Sequence, residues 1–198
     1  MKSILIAVLF IVVPAVVSAQ KIGILPFEDA AGVGPAFGEQ VAKFIRSEFL
    51  KNKRILPKFI AYKSEGSESS SVDVEKALEL GRKNGVDYVV IGTILEAEAS
   101  SSSTGIGGVS ILGQSVGSNL RTVTATVTIQ ADLISVSKGT LLESFRETGT
   151  KTDHSVGADV STEWGSMNAD KDAGGNTPNA AALREAVEKL VSEMSEKL

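Results

Sequence analysis

The segment TVTATVTIQADL, Thr122 to Leu133, admits one secondary structure. Val123, Ala125, Val127, Ile129, Ala131 and Leu133 alternate with Thr122, Thr124, Thr126, Thr128, Gln130 and Asp132. A period of two sustained this long makes a strand with one dry face and one wet face. The chain must therefore build a sheet, and something must cover the dry side.

The neighbouring segments supply that cover. KIGILPF, Lys21 to Phe27, reads as a short buried strand closed by Pro26. Val41, Phe44, Ile45 and Phe49 recur at helical spacing, which predicts an amphipathic helix over Phe37–Leu50. RILPKFIAY reads as a second strand, which Pro57 puts at an edge or a bend. The polar connector KSEGSESSS follows. Ser70 with Asp73 resembles a capping box for a helix carrying Val74, Ala77, Leu78 and Gly81 on one face. Gly85 in KNG suits a left-handed cap. VDYVVIGTI is apolar and β-branched, a central strand. SVSKGT is a tight turn and LLESFRETG a hairpin partner. Thr177 and Pro178 open a last helix with the stripe Leu183, Val187, Leu190, Val191, Met194. The order predicts one sheet flanked by helices, an α/β or α+β sandwich, in one domain over residues 20–198.

The first residues, MKSILIAVLFIVVPAVVSAQK, have a basic start, an apolar run from Ile4 to Val17, and small residues before Gln20. That pattern is a secretory signal peptide, cut after Ala19. The run is shorter than the ~20 residues of a bilayer span. The mature chain is thus expected outside the cytoplasm, in the periplasm or at the outer membrane.

Chemistry is thinly represented. The chain has no Cys and one His, His154, so no thiolate nucleophile and no Cys- or His-rich metal site is available. A net charge of −4 gives no basic patch for nucleic acid. Gly32, Gly34 and Gly38 imitate a dinucleotide fingerprint, but the spacing is off and Glu28 and Asp29 stand before it, so a plain strand-to-helix loop is expected. Glu96 and Glu98 share one strand face, where a solvated edge is expected ahead of a cation site. No catalytic constellation, cofactor or metal is expected, and the chain is not read as an enzyme.

Two excursions, at about Leu95–Val123 and Thr148–Asn176, exceed ordinary loop lengths. Both begin and end on strands, and both alternate in part. In the second, Val156, Ala158, Val160 and Trp164 fall on one parity, with Asp159, Ser161 and Glu163 on the other. A barrel strand needs only ~9–11 residues, apolar outward and polar inward. Two hairpins give four strands, too few to close a barrel in one chain, whereas a ring of copies can close one. On the residues alone a second reading stands beside it: extended arms on a soluble protein. The scarcity of Leu and Phe on the outer face favours those arms.

Four stretches in order resemble the CsgG family of outer-membrane curli secretion channels: IGILPFED (Ile22–Asp29), GVDYVVIGTI (Gly85–Ile94), VTIQADLISVSKGTLL (Val127–Leu142) and NAAALREAVEKLV (Asn179–Val191). The resemblance implies a homo-oligomeric ring whose hairpins build one shared β-barrel, with diffusive passage of unfolded protein and no nucleotide hydrolysed. It puts lipid against Val156, Ala158, Val160 and Trp164, and the lumen against Asp159, Ser161 and Glu163. It puts the narrow point in the loop Glu28–Glu39, where Phe37 is the aromatic and Gln40 the nearest amide. Partners would be secreted or envelope proteins. Family channels carry an N-terminal lipidated Cys, which this chain lacks. The alternative is therefore a soluble periplasmic binding or scaffold module in envelope assembly, with the hairpins as interaction arms.

Overall fold

The computed structural model describes residues 19–34, 36–62, 72–111, 114–156 and 178–198. At the far end of the long strands it gives the backbone alone, for residues 103–111, 114–121 and 155–156. The elements in order are β1 (Gln20–Ile24), β2 (Glu28–Asp29), α1 (Phe37–Phe49), β3 (Ile55–Phe59), α2 (Val74–Asn84), β4 (Tyr88–Ile111), β5 (Gln114–Ser135), β6 (Thr140–Val156) and α3 (Pro178–Glu196). The strands form one six-stranded sheet in the order β3-β1-β4-β5-β6, with β2 beside β4. β1 runs parallel to β3 and β4, while β4-β5 and β5-β6 are antiparallel. This is the mixed α/β sheet flanked by helices that the order of segments predicts, and Pro57 does lie on an edge strand.

The path from β1 through α1 to β3 crosses the sheet one way, and the path through α2 to β4 crosses back. A shared right-handed crossover then puts α1 and α2 on opposite faces. The core divides accordingly. On one face α1 and α3 cover Ile22, Ile24, Val90, Ile94, Val127 and Ile129. On the other, α2 covers Leu25, Val89, Ile91 and Ile134 through Ala77 and Leu78. Gly85 closes α2 at φ 64° as expected. The start of that helix differs from the capping-box expectation: Asp73 itself is the cap, its carboxylate accepting from the Lys76 amide at 2.7 Å. Ser70 lies outside the described residues.

Two pairs of segments that read as separate elements are single strands. β4 joins the central strand to the outgoing limb of the first excursion, and β6 joins the hairpin partner to the outgoing limb of the second. One register shift, between Ile94 and Glu96, leaves Leu95 without a partner. It keeps Ile94 and Ala97 both against the α3-side core. α3 lies directly on β6 at Gly149. A Cβ there would stand 2.0 Å from the Ala182 carbonyl oxygen and 2.6 Å from the Ala186 nitrogen, backbone atoms that cannot yield.

Candidate functional site

Beyond the helices, β4, β5 and β6 continue as a three-stranded arm. Its register aligns four rungs: Glu96, Thr128 and Thr148; Glu98, Thr126 and Thr150; Ser100, Thr124 and Thr152; Ser102, Thr122 and His154. These positions alternate with Val123, Ala125 and Val127, which are buried on the α3 side. One face of the arm's base is therefore apolar and covered by α3, and the other is lined with hydroxyls and carboxylates.

The hydroxyls satisfy one another across the strands. Thr124 and Thr152 share a hydrogen bond at 3.0 Å, as do Thr128 and Thr148. Thr128 Oγ1 also donates to Glu96 Oε2 at 3.0 Å, and Thr122 Oγ1 meets His154 Nδ1 at 3.1 Å. Such cross-strand pairs pin register and hold the face flat. Among the described residues no group of three His, Asp or Glu side chains is placed to hold a metal ion. Thr148, Thr150, Thr152 and His154 keep the same spacing of two as Thr122 to Thr128, which marks a strand face but not its neighbour.

α3 is stitched to β6 along one of its sides. Lys189 Nζ donates to Glu185 Oε1 at 2.7 Å and to the Thr148 carbonyl oxygen at 2.9 Å. Lys197 meets Glu143 at 2.9 Å. Between them Glu193 faces Glu147, and burial first, then the Glu193 carboxylate, raise Glu147 above the usual carboxylate range, with Lys189 offsetting part of the rise.

The strand-to-helix loop differs from a nucleotide cradle in detail. Asp29 Oδ2 accepts from the Gly34 amide at 2.6 Å, so a carboxylate already stands at the loop's N–H. Gly38 abuts β1's exit, where a Cβ would meet the Phe27 carbonyl oxygen at 1.8 Å. Phe37 is 3 % exposed in the core of its own chain. Gln40, half-buried in the first turn of α1, has an Oε1 atom with no hydrogen-bond partner among the described residues. Val156 ends β6 opposite Leu120. Ala158, Asp159, Val160, Ser161, Glu163 and Trp164 lie outside the described residues, as does nearly all of the N-terminal leader segment. Among the described residues no helix is long and apolar enough to cross a membrane, which says nothing of strands.

Residues 65–198 match the family model for the curli production assembly/transport component CsgG. The hypothetical protein CT253 of Chlamydia trachomatis has a similar structure, with a TM-score of 0.52 at 11 % identity over 89 % of this chain and 96 % of that one. That likeness concerns the fold. Looser likenesses are the PelC dodecamer of Paraburkholderia phytofirmans (TM-score 0.45, 12 % identity, 88 % and 87 % covered) and lipoprotein GNA1162 of Neisseria meningitidis (0.40, 14 %, 90 % and 96 %). No curated protein matches the chain.

Proposed function

The chain belongs to the CsgG family, whose members are non-enzymatic assembly and transport components, and on that premise we propose that it is a subunit of a ring-shaped export channel in the outer membrane. Copies would pool their hairpins into one barrel, and unfolded protein would pass by diffusion.

One observation carries this reading. Along β5 the apolar residues change parity. From Val123 to Leu133 they occupy odd positions and are buried, those from Ala125 onward in the core that α1 and α3 cover. Toward the tip they occupy even ones, Leu120 and Val116, the parity of Thr122 and Thr124. The register agrees on both sides: Val156 pairs with Leu120, and Val109 pairs with Val116. A soluble arm gains nothing by moving its apolar residues to the face without a helix. A strand that leaves a helix-covered core and enters lipid needs that switch, because its dry neighbour is now on the other side. The length also fits. Ser103 to Ile111 spans ~30 Å at ~3.4 Å per residue, and a tilt of ~40° reduces the rise to ~23 Å, close to the ~25 Å apolar band of a membrane barrel.

In this reading Val156, Ala158, Val160 and Trp164 meet lipid, and Asp159, Ser161 and Glu163 meet the lumen. The narrow point forms around Phe37 and Gln40. Gln40 Oε1 is buried and Phe37 is committed to its own core, so both would act by fixing where α1 begins. The leader is cleaved and the mature protein reaches the outer membrane without a lipidated Cys.

Leu120→Asp and Val156→Asp test the proposal in the full chain. Each puts a carboxylate on the lipid-facing parity and should abolish membrane-embedded rings, at a cost below the ~2–4 kcal/mol that an Arg or Lys incurs at a bilayer midplane. On a solvated arm each would stay within ~0.5 kcal/mol. Wild-type protein that fractionates as soluble, and aspartate variants that behave like it, would leave the periplasmic scaffold module as the function.

A further inference from the structure

The large hydrophobic side chains that the sheet leaves exposed sit on its two outer edges. Leu56 (51 %) lies on β3 and Leu50 (55 %) in the turn that leads to it, while Leu141 (45 %) and Leu142 (36 %) open β6 at the opposite edge. Neither edge strand has a partner on its outer side among the described residues. An exposed apolar edge is a docking surface or a hazard.

The two edges match in height and direction. A single rung crosses the whole sheet through Pro57, Ile22, Tyr88, Ser135 and Thr140. Leu56 stands one residue to one side of that rung and Leu141 one residue to the other, ~7 Å apart along the strands at ~3.4 Å per residue. β3 and β6 also run the same way, since both are parallel to β4. Rotation about a ring axis preserves height and strand direction. Two unlike patches at nearly one height, on parallel strands, on opposite edges, are what a closing head-to-tail contact requires.

Charge distinguishes the edges. Beside Leu56, the exposed Lys53, Arg54 and Lys58 have no ion pair among the described residues. At the β6 side Glu143, Glu147, Glu193 and Glu196 stand on β6 and α3 among Lys138, Arg146, Lys189 and Lys197, a mixed surface on which Lys197 pairs with Glu143. Pro57 has no N–H to give, so the contact is made by side chains more than by an unbroken backbone ladder.

We infer that the β3 edge of one copy, through Leu50 and Leu56, packs on the β6 edge of the next, through Leu141 and Leu142. The occupant of each edge is a second copy of this chain. The inference rests on the ring reading but concerns the extramembrane body, not the barrel.

Absence of native Cys makes the test direct. Full-length Leu56→Cys and Leu141→Cys proteins are purified in detergent, treated with a short bismaleimide singly and mixed, and resolved by denaturing electrophoresis. The expected result is a cross-linked dimer in the mixture, little in either variant alone, and a ladder of oligomers from the double variant. Leu56→Asp, at an exposed position, should keep the folded signal in circular dichroism and weaken self-association at least tenfold. Dimers from one variant alone would mean a two-fold contact and overturn the inference. Rings in detergent without a 56–141 cross-link would overturn it while the channel reading stands. A ladder in a protein that never enters membrane would do the reverse.

Discussion

Glu147 and Glu193 bring like charges together across the α3–β6 seam. Elsewhere on that seam Lys189 reaches the Thr148 carbonyl oxygen and Lys197 reaches Glu143. Burial and the Glu193 carboxylate raise Glu147, so the folded chain holds a proton there more tightly than the unfolded chain does. The stability this proton contributes is fully present below the ordinary carboxylate range, and it is lost as pH rises through the raised value. Glu185 has the opposite sign. Its hydrogen bond from Lys189 lowers it, so its contribution is present at neutral pH and lost at more acid pH. Denaturant midpoints should therefore rise as pH falls from neutral toward the ordinary carboxylate range, then fall below it. Glu147→Gln should raise the neutral midpoint and flatten the first limb while leaving the second. A variant with an unchanged first limb would show that the pair is not coupled across the seam.

At the scale of elements, α2 is the helix most dependent on its ends. It is short, and among the described residues its buried face comprises Ala77, Leu78 and Gly81. Asp73 satisfies the Lys76 amide, and Asp73→Ala should cost ~1 kcal/mol by urea denaturation. A cost near zero would mean that water replaces the cap freely. The three helices and the strand β5 were legible in the sequence because each shows its own period, 3.6 or 2. Two features were not. The merging of Tyr88–Ile94 with the limb beyond it was hidden by Leu95, whose unpaired place shifts the alternation by one residue. The rungs joining Thr122–Thr128 to Thr148–His154 depend on which strands become neighbours, and no local pattern states that. The arm itself was legible as two excursions of excessive length. That its outgoing second limb pairs with the returning first limb, making one three-stranded ribbon, had to come from the register.

For the molecule as a whole, the arm divides at Val123. This residue is 1 % exposed and stands two residues from the stretch of β5 described by its backbone alone. Below it the sheet has a core on each face of its centre. Above it Leu120 and Val116 fall on the other sequence parity. The body should then fold without the tip, and the tip should matter to the membrane alone. Ser102 pairs directly with Thr122, so residues 103–121 can be replaced by a short Asn-Gly turn without changing the register below. Shortening the hairpin also removes some loop-closure entropy, a gain of well under ~1 kcal/mol. The shortened protein should keep its thermal midpoint within ~4 °C and retain the head-to-tail cross-link between positions 56 and 141. It should lose all membrane-embedded material in fractionation. A midpoint lowered by far more than that would make the tip part of the core. Retained membrane insertion would overturn the first hairpin's part in the barrel and leave the second hairpin, which continues from Val156, to carry it alone.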